Sequence, residues 1–366
     1  MIEVIQLVLK HQRKLGKSAH KIGGFTLIEL LVAMILAALV ITPLLGFMLN
    51  ILNTDRQEQA KSSTEQELQS ALNYISRDLQ QAVYIYDGKG IDTIKNQLPG
   101  YTAASSRLTR VPILVFWKRE YLAQAIAKDF NKYDPSNVDK IKCQTPGEGR
   151  ECNDTFVYSL VVYYLIDDAD KTWSDVARIA RVEIKDGIRN PNQPVGDDGN
   201  PNYLSFPNKT AYNRDPGFKI FNLSDGTGST IEAKMNSWTK SGEVFTNPLE
   251  VLIDYIDQTP TTNNPAPPSL SQVDCQKILG VKDEDLDPQV PGRKKENLKS
   301  PISDSINTLK TTSFYACVDT KSTLAYVYLR GNALARVKKT PTYTEDSVYF
   351  PSASITVKGR GFLFNE

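Results

Sequence analysis

Glu29 is the residue of this sequence whose type and position point most directly to chemistry. It directly precedes an apolar run from Leu30 to Leu49, in which Thr42 is the one polar side chain. A carboxylate inside a bilayer is energetically costly, so acidic residues in such positions pair with an opposite charge and mark functional sites. Glu29 therefore predicts an ionic contact with a cation in an apolar environment.

The apolar run is long enough to cross a membrane. Its 20 residues span about 30 Å as a helix, at about 1.5 Å per residue, which is the thickness of a bilayer's hydrocarbon core. Residues 1–24 carry five Lys and Arg against one Glu, a balance of +4, so the rest of the chain carries −3. Positive charge on one flank predicts that the N-terminus stays in the cytoplasm and the remainder is exported. A signal peptide, a buried core helix and a plain signal anchor are the alternatives.

The residues before the run form a motif with a fixed order. Lys21-Ile22-Gly23-Gly24-Phe25-Thr26-Leu27-Ile28-Glu29 resembles the prepilin N-terminal processing motif of type IV pilins and type II secretion pseudopilins. The resemblance implies that a prepilin peptidase removes a basic leader, residues 1–24, by cutting between Gly24 and Phe25, and that Phe25 is then methylated. Glu29 becomes the fifth mature residue, and the resemblance implies its contact with the N-terminal amine of a neighbouring subunit. An intrachain pair between Phe25 and Glu29 is the alternative.

Both histidines, His11 and His20, lie in the basic leader. A mature chain without histidine excludes Ser-His-Asp and Cys-His catalysis and every histidine metal site. A membrane-anchored hydrolase with paired carboxylates or a Ser-Lys dyad stays possible, but no arrangement of residues selects one. The net charge of +1 for the whole chain gives no electrostatic footprint for nucleic acid. We expect a protein that is not an enzyme, holds no cofactor and binds no nucleic acid.

One long helix is predicted from Phe25 to Tyr86. Residues 25–52 form its transmembrane or filament-core half, where Pro43 predicts a kink or local melting. Residues 53–87 form an amphipathic half that packs on a globular head, because apolar residues recur there at helical spacing, namely Leu68, Leu72, Ile75, Leu79, Ala82 and Val83. Asp87-Gly88 predicts the end of the helix, with Gly88 as its C-cap. A coiled-coil dimer is the alternative for the second half.

Residues 88–366 form an exported, β-rich head. Its strand-like runs are rich in β-branched and aromatic residues: Val111–Trp117, Phe156–Ile166, Val176–Ile184, Val251–Ile256, Ser313–Val318, Leu324–Arg330, Ala333–Lys338 and Ser354–Val357. The second and third runs predict a hairpin, and the sixth and seventh predict a tight hairpin around Gly331-Asn332. The fold class is α+β, a pilin-like lollipop with a long N-terminal helix packed on an antiparallel sheet that carries large loop insertions. A split of the head near residues 260–301 stays open.

The four cysteines, Cys143, Cys152, Cys275 and Cys317, all lie in the exported part. In an oxidising compartment they allow three disulfide pairings. We favour Cys143–Cys152, which closes a short loop, and Cys275–Cys317. A zinc site is the alternative, although the sequence has no Cys-x-x-Cys pair and no histidine outside the leader.

Three acidic clusters could hold calcium, which some pseudopilins bind in a head loop. They are Asp167-Asp168-Ala169-Asp170, Asp197-Asp198 and Asp283-Glu284-Asp285-Leu286-Asp287. None has the ligand spacing of an EF-hand, so solvated loops are favoured. The basic loop Arg293-Lys294-Lys295 could contact an anionic polysaccharide, but a solvated loop is favoured there too.

The size of the head argues against the bulk subunit of a filament, because repeated heads must pack around its axis. We therefore expect a minor pilin or pseudopilin of a type IV pilus-like or type II secretion-like machine. Ser76–Ala82, and the hairpin that carries Arg178 and Arg181, resemble W- or J-type minor subunits. Tyr328–Arg336 and Tyr349–Phe362 resemble cyanobacterial hormogonium polysaccharide secretion pseudopilins.

The second resemblance implies a role in polysaccharide export and gliding motility. The expected partners are the prepilin peptidase, other pilin subunits, an inner-membrane assembly platform and a polysaccharide. The expected location is the inner membrane, followed by a pilus or pseudopilus at the cell surface. A surface adhesin or glycan-binding protein is the alternative function.

Overall fold

The computed structural model describes residues 24–101, 108–127, 152–168, 170–190, 193–195, 201–205, 212–224, 230–286, 294–302, 309–339, 341, 343, 348–361 and 363. The chain divides into two compact units, Met1–Asp55 and Arg56–Glu366. Residues 260–301, where the sequence left a split of the head open, lie within the second unit.

The N-terminal helix, α1, runs from Leu27 to Gln80 and has 54 residues. Pro43 lies inside it, and the helix continues through this residue without the local melting expected there. No glycine or proline follows between Leu49 and Gln80, so nothing in the backbone interrupts the second half. The prediction of one long helix is confirmed.

The predicted end of this helix is wrong. Residues Ala82–Ile85 form a strand, β1, whose four side chains are all buried. A strand that is buried on both faces has a continuous run of apolar residues. Here this run directly follows the apolar stripe of α1, so the sequence pattern does not show where the helix ends and the strand begins. The α-helix therefore ends at Gln80, six residues before Tyr86.

Gly88 begins a second helix, α2 (Gly88–Ile94), instead of capping the first. Asp87 is its N-cap, because the Asp87 carboxylate accepts a hydrogen bond of 2.7 Å from the backbone N–H of Gly90. Burial raises the pKa of Asp87 to about 6. The Asp-Gly pair thus marks a helix start, which the sequence interpretation took for a helix end.

The described residues after α1 form two antiparallel sheets. The first has the order β1-β2-β3-β4-β5 and the second the order β6-β7-β8-β9. Their bounds are β2 Leu108–Ala127, β3 Cys152–Asp168, β4 Ala177–Lys185, β5 Glu250–Ile256, β6 Lys299–Ser300, β7 Phe314–Asp319, β8 Leu324–Arg330 and β9 Ser352–Lys358. Two further short helices are α3 (Ile231–Asn236) and α4 (Gln272–Leu279). A long apolar helix followed by antiparallel sheets confirms the α+β class.

The two predicted hairpins have opposite outcomes. Strands β3 and β4 pair in antiparallel register from Ser159 with Lys185 to Ile166 with Arg178, which confirms the first. The tight hairpin around Gly331-Asn332 is wrong, because β8 pairs with β7 and β9. Residues Ala333–Arg336 form a 3-10 helix instead.

Local capping explains the second outcome. The side chain of Asn332 accepts a hydrogen bond from the backbone N–H of Ala335, which starts the 3-10 helix. The backbone N–H groups of Asn332 and Ala333 donate to the carbonyls of Tyr255 and Tyr349, at 2.7 Å and 2.9 Å. The backbone N–H groups that a two-residue turn would use are therefore bonded to carbonyls of residues distant in the sequence.

The main core lies in the second unit and includes the apolar stripe of α1. Leu68, Leu72, Ile75 and Leu79 are at most 1% exposed and belong to a cluster with inward side chains of both sheets. The other face of the five-stranded sheet is covered by a second cluster, which contains Trp117, Phe218 and Trp238. The stripe is thus buried against its own head, as predicted, instead of in a coiled coil.

A buried ionic cluster joins α1 to the five-stranded sheet. The Asp78 carboxylate of α1 accepts hydrogen bonds from Arg181 Nε at 2.7 Å and from the Tyr163 hydroxyl at 2.8 Å, and Lys118 Nζ lies 3.4 Å from it. Glu183 forms ion pairs with both cations. Burial alone would lower the pKa of Arg181, but its contacts with Asp78 raise this pKa above the usual value. The cluster therefore keeps its charges balanced away from water.

We expect the substitution Asp78→Ala to destabilise the head by about 3–5 kcal/mol, because it leaves two buried cations with one carboxylate. The matched control is Asp92→Ala, which removes more exposed contacts with Lys89 and Lys95 and should cost less than about 1 kcal/mol. Urea unfolding of the full chain in detergent, monitored by tryptophan fluorescence, measures the free energy of unfolding of both variants. Equal losses in the two variants would contradict the role of the cluster.

Candidate processing and assembly segment

The residues around the predicted cleavage site lie at the start of α1. Gly24, Phe25 and Thr26 precede the helix, which begins at Leu27. Phe25 is 82% exposed, and a Cβ atom added to Gly24 would meet nothing within 4 Å. Among the described residues, the peptide bond between Gly24 and Phe25 is therefore accessible, and none of these residues requires glycine at position 24.

Thr26 and Glu29 form reciprocal hydrogen bonds at this helix end. The Thr26 hydroxyl accepts from the backbone N–H of Glu29 at 3.3 Å and donates to Glu29 Oε2 at 3.2 Å. Glu29 Oε2 also accepts from the backbone N–H of Thr26 at 3.4 Å. This is the pattern of a capping box, which satisfies backbone donors that a helix start leaves free. A threonine three residues before a glutamate is the sequence signature of this motif, which here lies hidden at the edge of the processing motif and the apolar run.

In the described chain the Glu29 carboxylate accepts hydrogen bonds from Thr26. Before cleavage the nitrogen of Phe25 is an uncharged amide, so the expected ion pair with Glu29 has no cation. Cleavage after Gly24 would create an ammonium four residues from the carboxylate. Both pairings of Glu29, within the chain and between subunits, therefore stay predictions.

The first part of α1 exposes an apolar surface. Every large apolar side chain from Phe25 to Leu52 is at least 42% exposed. Burying such a surface is worth about 25 cal/mol per Å², so lipid or protein must cover it. Among the described helices, α1 alone is long enough and apolar enough to cross a membrane.

Glu29 is the one ionisable residue between Gly24 and Thr54. The hydroxyls of Thr42 and Thr54 donate to the carbonyls of Ala38 and Asn50, at 2.7 Å and 3.0 Å. These polar groups are thereby satisfied within the helix, as an apolar environment requires. Glu29 is thus the one ionisable side chain of this segment, and its carboxylate accepts hydrogen bonds from Thr26.

Three of the four cysteines, Cys152, Cys275 and Cys317, are among the described residues. Cys275 of α4 and Cys317 of β7 form a disulfide, and both residues are fully buried. It joins chain positions 42 residues apart, inside the second unit. Cys143 lies outside the described residues, so its pairing with Cys152 stays a prediction.

The acidic clusters proposed for calcium have structural roles where they are described. Asp168 forms an ion pair with Arg178, and Asp170 accepts a hydrogen bond of 2.9 Å from the backbone N–H of Thr172. Asp283 accepts from the Gln276 amide, and Asp285 pairs with Lys321. No group of three possible metal ligands occurs among the described residues. Asp197, Asp198 and Asp287 lie outside them, as does Arg293 of the basic loop.

We expect Thr26→Val to weaken the helix start by about 1 kcal/mol, because it removes the capping hydroxyl. Amide exchange at Glu29 and Leu30, whose N–H groups donate to Thr26, should then be about fivefold faster in the unprocessed chain in detergent micelles. The control is Thr42→Val, whose hydroxyl donates within the helix, and exchange at Glu29 and Leu30 should not change. Unchanged exchange in Thr26→Val would contradict the capping box.

Comparison with known families gives one match. Residues 20–45 match the family model described as the prokaryotic N-terminal methylation motif. Comparisons with curated proteins and with solved structures found no match. The matched range contains Gly24, Phe25 and Glu29 and includes most of the exposed apolar helix. The motif supports a type IV pilin or pseudopilin subunit that is processed by a prepilin peptidase, anchored in a membrane by α1 and assembled with other pilins.

Proposed function

We propose that this chain is a minor pilin or pseudopilin, a non-enzymatic structural subunit of a type IV pilus-like or type II secretion-like machine. The observation that carries the proposal is the methylation motif at residues 20–45, which extends into the exposed apolar part of α1, where Glu29 is the one carboxylate. A prepilin peptidase cuts between Gly24 and Phe25 and methylates Phe25. Residues 25–52 then anchor the subunit and later form part of a filament core.

Glu29 supports this proposal through its charge. The new ammonium of Phe25 is a cation that must enter a core of apolar helices. Two opposite charges about 4 Å apart attract by roughly 4 kcal/mol at an intermediate dielectric constant, which offsets much of the cost of removing them from water. A carboxylate at the fifth mature position can therefore fix the axial position of one subunit against the next.

The basic leader supports an orientation for the precursor. Its balance of +4 over residues 1–24 favours a cytoplasmic N-terminus and an exported head. The disulfide between Cys275 and Cys317 is compatible with an oxidising compartment outside the cytoplasm. The inner-membrane assembly platform is the partner that such an orientation makes accessible before the subunit enters a surface filament.

A role in polysaccharide secretion and gliding motility is the finer part of the proposal. Two stretches of the head, Tyr328–Arg336 and Tyr349–Phe362, carry the resemblance to polysaccharide secretion pseudopilins. They are adjacent in space, since the backbone N–H of Gly331 donates to the carbonyl of Pro351 at 2.9 Å. The resemblance thus falls on one continuous region of the second unit, which supports a common role for the two stretches.

The substitution Glu29→Ala tests the proposal. We expect the variant to lose its leader normally, because the cleaved bond lies five residues away. Incorporation into sheared filaments or pseudopili should fall at least tenfold, because the Phe25 ammonium loses its partner. Quantitative immunoblotting of the membrane and filament fractions measures both steps.

The matched control is Asp55→Ala, which removes the next carboxylate of α1 and should leave incorporation within twofold of the wild type. Normal incorporation of Glu29→Ala would remove the assembly role of this residue. An intact leader in wild-type membranes would overturn the assignment to pilins as a whole.

A further inference from the structure

A cleft in the second unit is a candidate binding site outside the processing segment. It has a volume of about 350 Å³, within the range of small-molecule sites. Three parts of the chain line it, namely the loop between β3 and β4, the end of β5 and the segment from the 3-10 helix onward. The side chains that matter are Trp173, Tyr255, Arg336, Lys338 and Lys339.

The cleft has an excess of positive charge. The guanidinium of Arg336 is already occupied, since it pairs with Glu67, donates to the Thr64 hydroxyl and stacks on the ring of Tyr255. Lys338 and Lys339 are exposed, and neither has an ion-pair partner in the described part of the chain. Asp175 is the single acidic residue of the lining. Two lysines therefore face the cleft with little compensating charge, which favours an anionic ligand.

The backbone around the cleft is held in place. Tyr255 has a positive φ of 58°, a conformation that a bulky side chain rarely adopts and that occurs where the surroundings enforce it. Its carbonyl accepts from the backbone N–H of Asn332 at 2.7 Å. The Ser174 backbone N–H and hydroxyl donate to Asp254 at 2.9 Å and 2.7 Å, which anchors the loop that carries Trp173. The walls are thus preformed, so a ligand would lose little affinity to ordering them.

Trp173 gives the cleft an apolar surface next to its charge. This indole is 39% exposed, whereas Trp117 is fully buried and Trp238 is 5% exposed. An exposed aromatic ring offers a flat face for the C–H groups of a sugar ring, and lysines offer partners for carboxylates. A ligand that has both features in one rigid unit is a uronic acid.

We propose that this cleft binds a segment of an acidic polysaccharide. A pyranose ring packs on Trp173, and its carboxylate lies against Lys338 and Lys339. The inference deepens the proposed function, on which it rests for the exposure of the head to an exported polysaccharide. Binding itself is a property of this chain and does not depend on processing or assembly. Its failure is therefore distinguishable from a failure of the pilin assignment, which the state of the leader decides.

The experiment uses the full chain in detergent and oligogalacturonate as the probe. Because Trp117 and Trp238 are buried, a change in tryptophan fluorescence on titration reports mainly on Trp173. Isothermal titration calorimetry gives the affinity for the wild type and for every variant. We expect saturable binding that weakens at least tenfold between low and high salt, since two lysines carry the contact.

The double substitution Lys338→Gln with Lys339→Gln should weaken binding at least tenfold, and so should Trp173→Ala. The matched control is Lys219→Gln with Lys277→Gln, a pair of exposed lysines outside the lining of the cleft, which should stay within twofold of the wild type. Circular dichroism of each variant verifies that the head is folded.

Three results would overturn the proposal. The first is no binding of oligogalacturonate at low salt. The second is equal weakening by the cleft pair and by the control pair. The third is equal affinity for poly-L-glutamate, which would show an anion site for acidic peptides in place of a sugar site. Weak binding of neutral dextran, at least tenfold below oligogalacturonate, is the expected result for an uncharged glycan.

Discussion

The exposed apolar surface from Phe25 to Leu52 is the constraint on which the rest of this chain depends. Every large side chain in it is at least 42% exposed, so water cannot be its environment. Glu29 is the one charge in this surface, and its carboxylate caps the helix through Thr26 before any cleavage. A carboxylate at the end of an apolar helix is costly to bury without an opposite charge, so any apolar environment that the helix enters must supply one.

The second half of α1 solves a different problem, because its apolar stripe is covered by the chain itself. Leu68, Leu72 and Ile75 are buried in a core shared with both sheets. Apolar contacts of this kind tolerate rotation of a helix, whereas the buried carboxylate of Asp78 must face Arg181 and Lys118. The ionic cluster therefore selects one rotation of α1 on the five-stranded sheet, in addition to whatever stability it contributes.

Features with a long local pattern were predictable from sequence. The long helix, the β3–β4 hairpin and the bounds of β8 follow from periodicity and side-chain type. Local patterns gave the wrong secondary structure where tertiary contacts determine it. β1 continues the apolar stripe of α1, and Asn332 uses its side chain and backbone to start a 3-10 helix. The cleft has no local signal, since Trp173, Tyr255 and Lys338 come from distant segments. The Thr26–Glu29 capping box did have one, which the apolar run and the processing motif obscured.

The central claim is that the mature chain begins at Phe25, and the intact mass of the protein purified from membranes, together with N-terminal sequencing, tests it most directly. The account predicts the loss of residues 1–24 and the mass of one added methyl group, with N-methylphenylalanine as the first residue. Retention of the leader, or cleavage inside the apolar run such as after Ala38, would contradict it.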